Sequence, residues 1–329
     1  MHRVRLSGIY RSLLAAIFLF TILLGISCRA PAAGEKPTIT LAEGNWTSQI
    51  IETEILDLII SKQLSYPVER ILGYGPIIWA AMDKGEVDIA SEIWYPARKG
   101  EIQSFLDSGN VELAGEIFGG AGNWLTVPRY VVEGDPARGI EPMAPDLKTV
   151  LDLKKYWKLF ENPERPGLGE VVGGEVGWAN ETPWMILGYD LPFYMSNQSE
   201  AVMLARTIAA YKKGEPILVS WWSPHIVFSQ VDLIKLESVD SDRTSEIDWD
   251  KDPYPLKTGG AEYTVYKVSR TGLAKTAPDV YRLIHNMSFS EDEINTLANR
   301  VDVVGEEKAI VAADWISKNQ NRIDQWLGK

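Results

Sequence analysis

The sequence predicts an α/β protein in which two similar lobes face one another across a cleft. Two segments carry the same local pattern: a Lys-Gly-Glu turn leads into a short apolar run and then into Trp-x-Pro, at Trp94 and again at Trp222. The pattern is typical of a helix end, a buried strand and a proline that opens the next helix. Because ligands of open α/β sheets bind outside the carboxyl ends of the strands, we expect each lobe to present an indole ring to the cleft.

Apolar periodicity in the first part of the chain alternates between strand and helix patterns. Strands are predicted at 38–42, 68–72 and 87–93, and helices at 46–64, 77–84 and 97–106. This β-α-β-α-β order predicts a mostly parallel sheet. The segment 120–127 is then expected to cross into the second lobe.

The second part of the chain shows a similar succession of patterns. Helices are predicted at 147–160 and 200–213, and strands at 175–178, 217–222 and 233–236. The charged segment 238–258 contains two prolines and has no periodicity, which indicates a surface connection. An alternating stretch at 261–268 is expected to return to the first lobe, followed by helices at 277–287, 291–300 and 306–327.

These patterns predict that the segment forming the second lobe is inserted into the sequence of the first. The first lobe is expected to comprise 38–123 and 260–329, and the inserted second lobe 124–259. An inserted lobe is joined to its host by two crossings, which is the geometry of a hinge.

The N-terminal 27 residues have the pattern of an export signal. Three arginines precede an apolar run of about 14 residues, which is too short to span a bilayer comfortably and is right for a signal-peptide core. Cys28 follows this core and is the only cysteine in the chain, as in a bacterial lipoprotein that takes its lipid there. The alternative is soluble secretion, with cleavage after 30–32. Residues 28–37 are expected to form a tether, and the protein to lie in the periplasm or on the outer face of the cytoplasmic membrane.

The charge balance and the few histidines exclude several classes of function. The chain has a net charge of −12, and from Cys28 onward 30 basic residues stand against 45 acidic ones, a net of −15. This balance argues against nucleic acid and against an anionic membrane surface as partners. Only His225 and His285 lie beyond the predicted signal, and neither belongs to a cluster of carboxylates, so no metal or other cofactor is expected.

Four of the twelve tryptophans lie at predicted strand-to-helix junctions: Trp46, Trp94, Trp178 and Trp222. The other tryptophans are either expected to pack or are left unassigned. Four indole rings that converge on a cleft favour a cation without hydrogen-bond donors, such as a quaternary ammonium group. Because these side chains would lie at strand ends, we expect them to contribute little to core packing.

Several segments together resemble a known family. They read SEIWYPARKG, GGEVGWANE, KKGEPILVSWWSPHIVFSQVDLIKLE and, near the end, AADWISKNQNRIDQWL. In this order they are similar to the substrate-binding proteins of ABC importers for glycine betaine and related compatible solutes. The resemblance implies a two-lobe periplasmic-binding-protein fold of the Venus-flytrap, type II-like kind. It also implies that Trp94, Trp178 and Trp222 form a box around a trimethylammonium group, with Trp46 taking part in some relatives.

The resemblance further implies a site for the carboxylate of the ligand. In such relatives the carboxylate meets backbone amides just after the Gly-Trp tryptophan, here Ala179 and Asn180, and a basic side chain four residues after the first tryptophan, here Arg98. Free N–H groups at a helix start together with a guanidinium suit a carboxylate. This chain lacks the cysteine pair that flanks the Gly-Trp motif in some members of the family. It also has Arg98 at a position where some members have histidine.

The sequence thus predicts a non-enzymatic receptor that captures glycine betaine or a related quaternary ammonium solute and delivers it to an ABC permease. Choline or carnitine is the alternative ligand within the same class. A sensor that uses the same binding domain remains another alternative. A secreted carbohydrate-active enzyme is an alternative from a different class, because tryptophans also stack on sugars and acidic residues are abundant. Against it, no pair of carboxylates falls at the three strand ends, apart from Glu92 and Glu181.

Overall fold

The computed structural model describes residues 36–95, 98–178, 181–238 and 262–329. Within these ranges the chain forms nine strands, which we number in chain order: β1 Ile39–Glu43, β2 Val68–Leu72, β3 Ile89–Tyr95, β4 Val111–Pro128, β5 Gly169–Gly173, β6 Phe193–Asn197, β7 Val219–Ser223, β8 Leu233–Lys235 and β9 Glu262–Arg270. The α-helices are α1 Thr47–Leu58, α2 Pro76–Asp83, α3 Lys99–Asp107, α4 Arg129–Glu133, α5 Leu153–Tyr156, α6 Thr182–Gly188, α7 Glu200–Lys213, α8 Val227–Gln230, α9 Leu273–Thr276, α10 Pro278–Asn286, α11 Glu291–Asp302, α12 Lys308–Lys318 and α13 Gln320–Trp326. A π-helical turn at Ile59–Gln63 extends α1, and short 3-10 turns occupy Pro136–Arg138, Val150–Asp152 and Trp157–Phe160.

The strands join into one continuous sheet in the order β2-β1-β3-β9-β4-β7-β5-β6, with β8 paired to β4 off this path. Strand β1 lies parallel to β2 and β3, and β5 lies parallel to β6 and β7. Strands β4 and β9 are antiparallel to their neighbours. The predicted mostly parallel sheet is therefore correct only for the outer strands. Strands β4 and β9 connect the two halves of the sheet, and they run antiparallel to each other and to the strands beside them.

Separate hydrophobic cores support the two ends of this sheet. One large cluster packs α1 against the C-terminal helices, and a smaller one lies between α2 and β3. Two further clusters surround β5 and β7. We call β1–β3 with α1–α3 and the C-terminal helices the first lobe, and β5–β8 with α4–α8 the second lobe. The α/β class of the prediction is confirmed, whereas the residue boundaries expected for the lobes stay a prediction.

Local chemistry explains why several elements begin and end where they do. The two Lys-Gly-Glu turns end α2 and α7, and in both the glycine takes a positive φ, 79° at Gly85 and 73° at Gly214. Such a φ is easy for glycine and strained for other residues. Helix α11 begins with a capping box, in which Ser290 accepts a hydrogen bond from the Glu293 amide and the Glu293 carboxylate accepts one from the Ser290 amide.

Several predicted elements differ from the structure. The strand predicted at 175–178 is instead a turn, and the strand itself is β5, which ends at Gly173, two residues before the predicted start. The helix predicted at 147–160 is broken into 3-10 and α segments, and the helix predicted at 306–327 is divided at Asn319. Strand β6 and most of the long strand β4 are not predicted as regular elements, and α6 is expected only as a helix after Trp178, without bounds.

Some predictions fall on residues outside the described ranges. These are the signal at 1–27, Cys28, most of the tether at 28–37, the amides of Ala179 and Asn180, and nearly all of the surface connection at 238–258. Of the residues the structure describes, none belongs to a helix that is both long enough and apolar enough to cross a membrane.

Candidate functional site

Four tryptophans approach one cavity from strand-to-helix connections. Trp46 is the residue before α1 and Trp94 lies near the end of β3, both in the first lobe. Trp178 lies in the connection between β5 and α6, and Trp222 lies in β7, both in the second lobe. The carboxyl ends of the strands therefore converge, as the sequence predicted for ligand sites of α/β sheets.

The cavity between the lobes has a volume of about 60 Å³. A water molecule needs about 10–15 Å³ on a comparable scale, so the space suits a group of a few heavy atoms. The residues that line it are Trp46, Tyr74, Gly75, Trp79, Glu92, Ile93, Trp94, Arg98, Gly177, Trp178 and Trp222. Apart from Glu92 and Arg98, these side chains are apolar or aromatic.

The aromatic rings meet edge to face and form the corners of a box. The centroids of Trp178 and Trp222 are 5.3 Å apart with ring planes at 89°, and those of Trp46 and Trp178 are 6.0 Å apart at 72°. Tyr74 stands against Trp46 at 5.7 Å and 68°. Rings set nearly at right angles present their negative faces in different directions around one space, which suits a compact cation.

A single buried carboxylate holds two of the indoles. Oε2 of Glu92 accepts hydrogen bonds from Nε1 of Trp46 and from Nε1 of Trp94, both at 2.8 Å, while Oε1 accepts one from the Ser48 hydroxyl at 2.6 Å. Glu92 is only 3% exposed. Burial raises the pKa of Glu92, and the three donated hydrogen bonds oppose that shift.

The indole of Trp178 is held by a polar contact across the cleft. Its Nε1 donates to Oδ1 of Asn45 at 2.7 Å, and Nδ2 of Asn45 donates to Oε2 of Glu175 at 2.6 Å. Gly177 precedes the indole with a φ of +96°, and a Cβ at this position would lie 3.2 Å from the Tyr74 ring. The turn that aims Trp178 therefore requires glycine both for its backbone and for its contact with the first lobe.

The guanidinium of Arg98 lies at the rim of the same cavity. Its Nη2 donates to the carbonyl oxygen of Gly177 at 2.5 Å, and its Nη1 forms an ion pair with Glu101. The side chain is 17% exposed. Arg98 thus reaches from the first lobe to the backbone of the second, next to Trp178.

Further hydrogen bonds join the lobes beside the cavity. The carboxylate of Glu200, at the start of α7, accepts a hydrogen bond from the amide of Thr47, at the start of α1, at 2.8 Å. The hydroxyl of Thr47 donates to Asp302 at 2.9 Å. Burial and the nearby charge of Glu200 raise the pKa of Asp302 to about 6. These contacts belong to a closed arrangement of the two lobes.

His225 supports Trp222 rather than lining the cavity. Its Nε2 pairs with Oε1 of Glu200 at 2.9 Å, and its Nδ1 accepts a hydrogen bond from the Val227 amide at 3.1 Å. The accepting role of Nδ1 places the proton on Nε2. The imidazole packs on Trp221 and Trp222, with centroids 4.2 and 4.8 Å away.

The structure brings together five of the seven predicted ligand residues, namely Trp46, Trp94, Arg98, Trp178 and Trp222. The other two, Ala179 and Asn180, lie outside the described residues. The expectation that the indoles pack little is wrong for Trp222, which is only 8% exposed and belongs to a hydrophobic cluster of the second lobe. The cause is that the rings of Trp221 and His225 pack against its indole, with centroids 5.4 and 4.8 Å away.

Sequence reasoning missed Asn45 and Tyr74, left Trp79 unassigned, and named Glu92 only as a strand-end carboxylate in weighing a carbohydrate-active enzyme. A signal for Tyr74 was present, because Tyr74-Gly75-Pro76 is a third aromatic-x-Pro at a strand-to-helix junction, where β2 leads into α2. Glu92 lies two residues before Trp94 on the same strand, so both side chains point to the same face. The sequence carries no sign that this carboxylate also reaches Trp46.

The continuous sheet and the closed cleft between its halves define a substrate-binding protein of the two-lobe periplasmic type. Residues 37–318 match the family described as "Substrate binding domain of ABC-type glycine betaine transport system". The chain belongs to this family, which comprises transport proteins rather than enzymes. It is therefore an extracytoplasmic substrate-binding protein of the kind that serves ABC-type glycine betaine transport systems.

Individual relatives carry related specificities. The chain is 24% identical over 294 residues to the trimethylamine N-oxide-binding protein of Pelagibacter ubique strain HTCC1062, covering 88% of this chain and 90% of that protein. It has the fold of lactococcal OpuAC, in a closed conformation with glycine betaine, with a TM-score of 0.70, 19% identity, and coverage of 89% and 100% of the two chains. A choline-binding protein of an ABC transporter, in complex with choline, gives a TM-score of 0.71 with 23% identity and coverage of 88% and 91%.

Proposed function

We propose that this protein captures glycine betaine, or a related trimethylammonium solute, in a cage formed by Trp46, Trp94, Trp178 and Trp222. The observation that carries the proposal is the convergence of four indoles and Tyr74 on one cavity of about 60 Å³. A trimethylammonium group donates no hydrogen bond, so an aromatic box leaves no N–H unsatisfied when it binds.

Cation–π attraction can supply the required affinity. Each desolvated indole contributes about 0.5–2 kcal/mol. Four of them together with a paired anionic end give on the order of −8 kcal/mol, which corresponds to a micromolar Kd. The anionic end of the ligand would meet Arg98 and the backbone amides of Ala179 and Asn180, at the rim next to Trp178.

Trimethylamine N-oxide is the second candidate ligand. A relative 24% identical to this chain bears that name. In this chain Arg98 already contacts Glu101 and the Gly177 carbonyl, and the cavity is small. A ligand that carries its oxygen directly on the ammonium nitrogen would fill the cage without displacing these contacts.

Isothermal titration calorimetry of the purified mature protein tests both ligands. The panel comprises glycine betaine, choline, carnitine, trimethylamine N-oxide and glucose. We expect micromolar binding of glycine betaine and no heat from glucose. Binding of glucose without any trimethylammonium compound would overturn the proposal in favour of a carbohydrate-binding protein.

Membrane anchoring through Cys28 completes the proposed function, with an ABC permease as the partner that receives the ligand. A lipid on Cys28 would keep the binding protein close to that permease. Cys28→Ser should therefore release the protein from the membrane fraction or block processing of the signal. A wild-type protein that begins at Ala33 and fractionates as soluble would contradict lipid attachment.

A further inference from the structure

Among the described residues that line the cavity, Glu92 is the one acidic side chain. It is 3% exposed, and its two oxygens accept three hydrogen bonds, from Trp46, Trp94 and Ser48. Indole N–H groups can only donate, so a shared acceptor fixes the orientation of both rings. Charge-assisted hydrogen bonds to a carboxylate are about twice as strong as neutral ones.

No basic side chain forms an ion pair with Glu92 within the described ranges. Its acidic neighbour is Glu52, which is 0% exposed and whose two oxygens have no hydrogen-bond donor in the described part of the chain. Burial, and then the charge of Glu92, raise the pKa of Glu52 well above its usual range. Burial raises the pKa of both carboxyl groups, and the three hydrogen bonds donated to Glu92 oppose that rise, so Glu92 is the member of the pair that ionises more easily.

A buried charge without a counter-ion is unfavourable. A cation bound between the indoles would supply the missing positive charge within a few ångströms of the carboxylate, in surroundings of low dielectric constant. Because a trimethylammonium group donates no hydrogen bond, the carboxylate would act on it through its charge. A permanently cationic trimethylammonium group suits such a carboxylate.

We propose that Glu92 is a positioning and charge-selective residue of the cage, which aims Trp46 and Trp94 and makes the cavity prefer a trimethylammonium group to an uncharged group of the same shape. This inference rests on the proposed function, since it assumes that the head group binds between the indoles. Two contributions to the affinity for the ligand can then be distinguished. The ring faces and the apolar contacts act on any head group of that shape, whereas the carboxylate favours only the charged one.

The test compares glycine betaine with 3,3-dimethylbutanoate, in which a carbon atom replaces the ammonium nitrogen. The wild-type protein should bind glycine betaine at least about tenfold more tightly than this isostere. Glu92→Gln should weaken glycine betaine at least about thirtyfold and the isostere less than about threefold. Glu92→Asp keeps the charge and should keep most of the preference for glycine betaine over the isostere, even if the affinities for both ligands fall.

Glu52→Gln is the matched control, because glutamine has the shape of the neutral acid. It should change the affinity for glycine betaine less than about threefold. Equal losses of both ligands in Glu92→Gln, or an equal effect of Glu52→Gln and Glu92→Gln on glycine betaine, would overturn the inference. A wild-type protein that binds both ligands equally well would also overturn it, independently of how any variant folds. Failure of the proposed function has a different result: the wild-type protein would bind no trimethylammonium compound.

Discussion

Trp178 and Trp222 both line the cavity, but they are buried to different extents. Trp178 is half-buried in a loop, whereas Trp222 is 8% exposed and packs against Trp221 and His225. The two side chains therefore share a role toward the ligand and differ in what they contribute to the folded state.

Alanine at each cage position should weaken glycine betaine binding by about 1–3 kcal/mol, and phenylalanine should cost less because a ring face remains. Trp222→Ala should in addition lower the free energy of unfolding by about 3 kcal/mol, because it leaves a hole in a packed cluster. Calorimetry and urea unfolding measure the two effects. The control is Trp157→Ala, which alters a tryptophan away from the cavity and should leave the affinity for glycine betaine unchanged. If Trp94→Ala or Trp178→Ala bound glycine betaine normally, that tryptophan would not belong to the site.

Arg98 should distinguish glycine betaine from choline. The trimethylammonium groups of the two ligands are the same, so the indoles cannot tell them apart. A guanidinium left facing a neutral hydroxyl in a closed cleft lacks its partner, which costs more than an unpaired neutral donor. Arg98→Ala should therefore weaken glycine betaine far more than choline.

Titration of both ligands into both proteins measures this difference. Arg98 also joins the lobes through the Gly177 carbonyl, and loss of that contact alone would weaken both ligands by the same factor. Equal losses, or none, would show that Arg98 does not read the carboxylate, and choline would become the first choice of ligand.

At the scale of the element, the turn before Trp178 sets the direction of its indole. Gly177→Ala should cost about 1 kcal/mol of stability, because alanine at a positive φ is strained. It should also weaken glycine betaine, because the new methyl group would press on Tyr74 at 3.2 Å and displace Trp178. Thermal unfolding and calorimetry follow the two effects separately.

Gly85 offers a matched control for this turn. Its φ is +79° and a Cβ there would have nothing within 4 Å. Gly85→Ala should lose a similar amount of stability and keep its affinity. If Gly177→Ala bound the ligand as tightly as Gly85→Ala does, the turn would have no part in aiming the indole.

The same region shows why sequence patterns located some elements and not others. Helix α7 follows its predicted bounds because amphipathic periodicity and a terminal glycine both mark it. Strand β5 was missed because glycines flank it and suggest turns. In the structure Gly169 and Gly173 lie where a Cβ would approach Phe193 and Met195 of the next strand to within 2.3 and 2.4 Å. These glycines permit close strand packing, which depends on a neighbour that the local sequence does not identify.

The candidate site also combines residues that the local sequence marks with contacts that it does not. Positions such as Trp94 and Trp222 could be predicted because a strand end and a proline mark them locally. The bond between Trp46 and Glu92 joins residues 46 positions apart, and that between Asn45 and Trp178 joins residues 133 apart. The first contact depends on how α1 and β3 pack within the first lobe, and the second depends on how the two lobes meet. No local sequence pattern specifies either.

At the scale of the whole molecule, closure brings carboxylates of the two lobes together. Asp302 belongs to the first lobe and Glu200 to the second, and Thr47 bonds to both. The imidazole of His225 also pairs with Glu200 at this contact. In the closed protein the pKa of Asp302 is raised to about 6 by burial and then by the charge of Glu200. Opening would remove that neighbour and return the pKa toward its usual value.

Closure should therefore take up a proton. Because the pKa of Asp302 is higher in the closed state, glycine betaine affinity should rise as the pH falls from 7 through 6, and level off near the ordinary pKa of an aspartate, about 4. Calorimetry at a series of pH values measures the slope. Asp302→Asn should flatten this part of the profile, and an unchanged slope in that variant would assign the pH dependence to another group.

The crowding of indoles around the cavity has an optical consequence. Tryptophan emission moves to shorter wavelength when water leaves the ring. Trp46, Trp94 and Trp178 are half-buried at the cavity, so a ligand that displaces water from their faces changes the light emitted by the protein itself. The cleft therefore carries its own fluorophores, and occupancy can be followed in real time, by stopped-flow mixing for example, without attaching a dye.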